Sequence, residues 1–323
     1  MTKLRVLFNV LEVLDTKKVF PRVKSLGIGS ISVFGDLCWK RLPAYFKDVG
    51  KEFTDICINL FHDPTYLNEP GWRNSLEKDC DRIIPALARL GINKYAWMIE
   101  GNLYGYPLNP LVGRYVSRDR LVERFNAFYD AAHAANPQAE VIVVPYPHLL
   151  MNLNCGLRGW KDWWLRQGER MKFDRVALNA HFGVWIFAAT DGLAYRHLVD
   201  SIGFLQKRGH EPLYVEVGYP TAGRMPLIGW YGRGREKDQE ALLKTCYRAL
   251  SDMGVPYMQI CEFIDSDPDG QIYEHFFGRN GRLPKFLGVP VIEEANWGLL
   301  RRDGTEKPAC GWVRDTARRA GRK

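Results

Sequence analysis

The sequence predicts a single (β/α)8 TIM barrel, an α/β fold in which eight parallel strands alternate with helices over residues 1–323. Three observations carry this expectation. Eight apolar runs of strand length alternate with helical patterns along almost the whole chain. Three joints repeat one pattern, Leu26-Gly27-Ile28, Leu90-Gly91-Ile92 and Met253-Gly254-Val255, each closing a helix on a left-handed glycine and opening a strand on an apolar residue. Finally, 323 residues suit one closed barrel, and no Pro/Gly/Ser-rich linker divides them. No G-x-G-x-x-G follows the first strand, which sets aside an open dinucleotide-binding sheet.

Taken in order, strands are expected at Leu4–Val10, Ser30–Phe34, Phe53–Phe61, Tyr95–Glu100, Ala139–Pro145, Arg175–His181, Leu213–Val217 and Tyr257–Phe263. Helices are expected near Lys17–Leu26, Leu42–Lys47, Ser75–Leu90, Ser117–Ala135, Leu157–Arg170, Gly192–Arg208 and Glu236–Met253. The fourth helix is the best marked. Leu121, Val122, Phe125, Phe128, Tyr129 and Ala132 recur at helical spacing, Ser117 can cap the start, and Asn136-Pro137 stops it. Pro85 falls inside a helical run and predicts a kink or break there. Trp160, Trp163 and Trp164 read as helix packing.

Composition narrows the class. Hydrophobic residues make up 46% and charged residues 25%, the balance of a soluble globular chain and not of a disordered one. No stretch approaches 18 uncharged apolar residues, so no membrane span is expected. The formal net charge is +8, much of it from Arg301, Arg302, Arg314, Arg318, Arg319, Arg322 and Lys323, and residues 314–323 read as a solvated basic tail. That charge is the one feature that would favour nucleic acid, and no motif accompanies it, so no nucleic-acid partner is expected. The seven cysteines are scattered without a C-x-x-C pair, and those in apolar strands behave as small hydrophobes. The N-terminal MTKLRVLFNVLEVLD is broken by Asn9 and Glu12 and reads as a first strand rather than a signal peptide, so a cytoplasmic location is expected.

In such a barrel, chemistry gathers at the C-terminal ends of the strands. Strand 4 runs into Trp97-Met98-Ile99-Glu100. Alternation places Ala96, Met98 and Glu100 on one face and Trp97 and Ile99 on the other. In strand 7, Tyr214 and Glu216 share one face, and Leu213, Val215 and Val217 share the opposite one. The bulky apolar sets suit the helix layer, which aims both carboxylates into the barrel mouth. An ionised Glu there is costly to bury unless it is partnered or used. A facing carboxylate pair is what glycoside hydrolysis requires.

The segment Glu216-Val217-Gly218-Tyr219-Pro220-Thr221 resembles the Glu-x-Gly-Trp-Pro strand-7 motif of β-1,3-glucanase-type enzymes in clan A of the glycoside hydrolases. Ile260-Cys261-Glu262-Phe263-Ile264-Asp265, Asn296-Trp297-Gly298-Leu299 and Asp303-Gly304-Thr305-Glu306-Lys307-Pro308 are similar to the clan's closing segments. The resemblance implies a retaining (β/α)8 enzyme with Glu216 as nucleophile and Glu100 as acid/base, acting on an oligo- or polysaccharide without a cofactor. Three positions depart from the clan pattern. Ile99 stands where Asn usually precedes the strand-4 Glu, with Asn102 two residues after it. Ser32-Val33-Phe34-Gly35-Asp36 offers no strand-2 Arg. Phe263 occupies the place of the usual strand-8 Trp.

Around this pair, His62 and Asp63 end strand 3 and can hold a sugar hydroxyl. Asn179 and His181 share the inward face of strand 6, where the clan often bonds a Tyr or His to the nucleophile; a His satisfied within the barrel is the alternative. Tyr104, Tyr106, Trp185, Tyr219, Trp230 and Tyr231 cluster in the loops after strands 4, 6 and 7, where aromatic faces can take sugar C–H faces or anchor the loops. Arg224, Arg233 and Arg235 suit either an anionic sugar or a solvated loop. Glu262 falls out of phase with Gln259, Cys261 and Phe263 and so points to the helices or the loop. No HxH or HExxH spacing occurs, and no metal is expected. No Lys ends a strand, which disfavours a Schiff-base lyase. A catalytically inactive glycan-binding barrel is the second reading, motivated by the missing Asn and Arg.

Overall fold

The computed structural model describes residues 1–8, 16–34, 42–49, 52–60, 70–97, 118–147, 159–182, 191–219, 221, 235–265 and 297–321. In chain order the elements are β1 (Lys3–Phe8), α1 (Thr16–Ser25), β2 (Ser30–Phe34), α2 (Leu42–Val49), β3 (Asp55–Leu60), α3 (Trp72–Ala88), β4 (Lys94–Trp97) and α4 (Arg118–Ala135). They continue with β5 (Glu140–Val143), α5 (Gly159–Arg166), β6 (Arg175–His181), α6 (Asp191–Gln206), β7 (Pro212–Gly218), α7 (Glu236–Asp252), β8 (Tyr257–Cys261) and α8 (Ala309–Gly321). The strands hydrogen-bond in sequence order into one closed parallel barrel, the predicted fold.

The chain divides into two compact units, one carrying β1, α1, the end of β6 and everything after it, the other carrying β2 through most of β6. In the second unit, β2 to β6 pair in order, with Val33 beside Ile58 and Leu60 beside Trp97. The alternation expected of strand 4 is observed at Trp97, whose indole stacks on Phe128 of α4 at 3.9 Å with the planes 2° apart. That ring therefore belongs to the strand–helix layer. Trp160, Trp163 and Trp164 are buried on α5, as the sequence predicts. In the first unit, β8 pairs with β1 on one side and β7 on the other. Phe8 bridges outward to Phe20 of α1 (5.5 Å between centroids) and to Phe263 (5.4 Å).

The predicted glycine joints share one geometry. Gly27, Gly91 and Gly254 have φ of 82°, 80° and 73°. In each, the glycine N–H bonds three residues back and the following apolar N–H five residues back, as in Ile28 to Val23 and Val255 to Leu250. This Schellman arrangement satisfies the last helix carbonyls and turns the chain directly into the next strand.

Two expectations are corrected. Of the kink or break expected at Pro85, the break does not occur: α3 runs continuously through it to Ala88. The hydrogen bond it forfeits falls on the carbonyl of Asp81, an exposed residue where water can replace the donor. The region read as a basic tail forms α8, which packs against α7 and β1. Cys310, Val313, Thr316 and Ala317 are buried on one stripe of α8 while Arg318 and Arg319 are exposed, so the charges mark the outer face of an amphipathic helix. Among the described residues, no helix is long and apolar enough to cross a membrane.

Cys57, Cys80, Cys246, Cys261 and Cys310 are buried thiols outside any disulfide; Cys38 and Cys155 lie outside the described residues. Burial pushes Cys80 up to about 12, with Asp79, Asp81 and Glu77 adding to it, and Cys310 up to about 11. Neither is a thiolate near neutrality. Both are expected to resist a disulfide-exchange reagent in the native protein at pH 8 and to react on unfolding. Peptide mapping after labelling checks this, and native labelling at either site contradicts it.

Candidate active site

The C-terminal ends of β6, β7 and β8 converge on Glu216. Pairing register explains its first partner: Glu216 of β7 lies directly beside Gln259 of β8. Directly paired residues of neighbouring parallel strands project to the same side. The Gln259 amide accordingly donates through Nε2 to Glu216 Oε2. The other carboxylate oxygen, Oε1, lies 3.2 Å from Nε2 of His181, the last residue of β6. Glu216 is only 2% exposed. Each of its oxygens faces a nitrogen, which offsets the cost of burying so polar a group.

Gly218 sits two residues on, and its missing side chain makes room for the rest of the site. A Cβ there would lie 2.6 Å from His181 Nδ1 and closer still to the six-membered ring of Trp297. The His181 and Trp297 rings meet edge to face with centroids 4.5 Å apart. Gly218→Ala must therefore displace both rings or shift the strand. It is expected to cost about 1–3 kcal/mol, read as a lower midpoint in urea unfolding. An unchanged midpoint contradicts this packing.

Trp297 is in turn held from α7. Gln239 Nε2 lies within hydrogen-bond distance of the carbonyls of Tyr219 (3.3 Å), Trp297 (3.1 Å) and Gly298 (3.2 Å). One turn earlier, Glu236 receives Arg301 through both oxygens at 2.7 and 2.6 Å. Beyond β8, Asp265 accepts from Lys307 Nζ at 2.7 Å and from the Gly298 N–H at 2.8 Å, and Lys307 also donates to Thr221 Oγ1 at 2.7 Å. Both charged side chains are buried. Burial raises the Asp265 carboxyl against the opposing pull of Lys307, and burial lowers the Lys307 ammonium against the pull of Asp265.

Of the sequence-predicted site residues, Glu216 and His181 are brought together. Tyr219 is buried beside them in the chain, its hydroxyl raised by burial, and its carbonyl is fixed by Gln239. Asn179 is buried, with its N–H bonded to the Pro145 carbonyl. Phe263 is corrected: its ring is fully buried against Phe8 in the layer facing α1, so it presents no surface to a ligand. Glu262 is buried too, and its backbone pairs with Trp297 and Leu299. Glu100, His62, Asn102, Tyr104, Trp185 and Trp230 lie outside the described residues.

Sequence reasoning missed Gln259 as a partner of the carboxylate and read Cys261 only as a small hydrophobe. Cys261 shares its strand face with Gln259, two residues away, and its Sγ lies with the Glu216 and His181 donor atoms inside a 4.8 Å cluster. The signal was the shared phase of Gln259 and Cys261, which needed the β7–β8 register to become a contact.

No family model matches the chain, and no curated protein matches it. Solved structures do. A GH5_18 protein from Streptomyces cattleya, solved with Manb1-4GlcNAc, superposes with a TM-score of 0.67 at 15% identity, covering 99% of this chain and 81% of its own. The exo-beta-1,4-mannosidase Op5Man5 from Opitutaceae bacterium strain TAV5 gives 0.65 at 13%, covering 100% and 60%. The beta-glucuronidase of Bifidobacterium dentium, solved with coumarin-3-O-glucuronide, gives 0.63 at 16%, covering 98% and 46%. The chain thus spans about half the length of that glucuronidase and three fifths of the mannosidase. The mannosidase and the glucuronidase are named for β-linked sugars, and what the chain shares with these structures is the closed (β/α)8 barrel.

Proposed function

We propose that this chain is a retaining glycoside hydrolase of the clan A type, cleaving a β-glycosidic bond in an oligo- or polysaccharide through a covalent glycosyl-enzyme intermediate. The observation that carries the reading is the buried Glu216 carboxylate at the end of β7, with Gln259 and His181 at its two oxygens. A carboxylate held in one orientation is prepared for in-line attack on an anomeric carbon. In the first step Glu216 Oε1 or Oε2 bonds to that carbon, the C–O bond to the leaving group breaks, and Glu100 gives its proton to the departing oxygen. In the second step Glu100 takes a proton from water, the water oxygen bonds to the anomeric carbon, and Glu216 departs with its electron pair. The reading requires the two carboxyl groups to stand about 5–5.5 Å apart.

A second reading, a glycan-binding barrel without hydrolysis, is favoured by one specific feature. The partner found at Glu216 Oε2 is the neutral amide of Gln259, and strand 2, Ser30–Phe34, contains no Arg. A neutral donor stabilises an ionised carboxylate less than a guanidinium does. The deciding experiment is hydrolysis of a panel of β-glycans and aryl β-glycosides by wild type, Glu100→Gln and Glu216→Gln. Turnover by wild type that collapses in both variants supports the enzyme. Binding of a panel glycan without turnover supports the binding barrel, and neither turnover nor binding overturns both.

A further inference from the structure

We propose that His181, Glu216 and Cys261 form a binding site for a borderline-soft divalent cation, zinc above all, at the ends of β6, β7 and β8. One imidazole, one carboxylate and one thiol offer their donor atoms within 4.8 Å of one another. Among the described residues, theirs is the grouping of three or more such donors.

The spacing suits a small tetrahedral ion. Two ligands each about 2.0 Å from a tetrahedral centre stand about 3.3 Å apart, and His181 Nε2 lies 3.2 Å from Glu216 Oε1. A thiolate binds zinc at about 2.3 Å, and Cys261 Sγ is the third donor of the 4.8 Å cluster. Mixed nitrogen, oxygen and sulfur donors select zinc or cobalt over magnesium and calcium, which take oxygen ligands. The surroundings hold the first ligands in place. Gln259 engages Oε2, so that Oε1 is the oxygen turned to His181, and the bare Gly218 lets the imidazole approach beside Trp297. Outer partners of this kind orient metal ligands. Three protein ligands leave a fourth position for water or an incoming group.

Cation binding consumes the carboxylate oxygen that faces His181. On the proposed reaction, zinc and glycoside would therefore compete for Glu216. The site itself does not depend on that reaction, because its donors are in place whatever the chain does to sugars.

The test uses the intact, chelator-treated, reduced protein titrated with Co2+ and followed by absorption. The expected result is one Co2+ per chain, a thiolate-to-cobalt charge-transfer band, the intense visible bands of tetrahedral cobalt, and loss of all of them on adding Zn2+. A spectrum that stays that of aqueous cobalt throughout overturns the proposal, and this outcome needs no variant. Cys261→Ser should remove the charge-transfer band, while Cys246→Ser, which alters a buried thiol of α7, should leave it unchanged. The reverse pattern also overturns it. Gln259→Ala should weaken binding about 10–100-fold through the loosened carboxylate. Failure of every glycoside on the panel would count against the hydrolase while leaving the cobalt spectrum to stand or fall alone.

Discussion

Glu216→Gln is expected to reduce glycoside hydrolysis by at least about a hundredfold while leaving the melting temperature within a degree or two of wild type. The substitution is nearly isosteric, and its new amide keeps one acceptor for the Gln259 Nε2 donor. Its NH2 group can face His181 Nε2, which accepts when the imidazole is protonated on Nδ1. The packing of the site is thus preserved while the nucleophilic oxygen is lost. Glu216→Ala distinguishes a nucleophile from a merely structural carboxylate. Added azide should restore turnover in that variant and yield a glycosyl azide of inverted configuration, because azide attacks from the face the carboxylate vacated. Full activity in Glu216→Gln would remove this residue from the mechanism.

Asp265→Asn is expected to cost about 3–5 kcal/mol of folding stability, read by urea unfolding. The variant removes the carboxylate charge set against the buried Lys307 ammonium and leaves neutral oxygens at positions 265 and 221. Asn keeps an Oδ1 that can accept from both Lys307 Nζ and the Gly298 N–H, so the substitution removes the negative charge and keeps both acceptor contacts. Pairing Asp265→Asn with Lys307→Met should recover most of the deficit, because the buried charge is then absent from both sides. The pH dependence has a definite sign. Burial already lowers the Lys307 ammonium, and only Asp265 and more distant acidic groups oppose this. Without the Asp265 carboxylate the native state holds that proton less well than the unfolded chain does. Stability of the variant therefore rises with pH, up to the unfolded lysine value of about 10.4. Equal stability of wild type and Asp265→Asn at neutral pH would show that the pair carries no such burden.

The alternation of strands and helices was legible because each element carries its own period and its own stop. The three Leu-Gly-Ile-type joints announced where helices end, and Trp97 could be assigned to the helix layer from phase alone. Glu216 was legible for a related reason: an ionisable residue ending an apolar strand stands out. Of its two partners, His181 was legible from its place at the end of strand 6, whereas Gln259 lies 43 positions away and meets Glu216 only through the β7–β8 register. Phe263 was misplaced because it was set at the clan's strand-8 Trp position, whereas β8 has already ended at Cys261. The C-terminal charges drew attention from the period of Cys310, Val313 and Ala317, which is what makes α8 a packed helix.

The two ties from α7 to the segment around Trp297 have a kinematic consequence. Gln239 and Glu236, one helical turn apart, grip residues 297, 298 and 301, and two points of attachment suppress rotation as well as translation. Displacing that stretch from the helix therefore means breaking the contacts to Gln239 and Glu236 together.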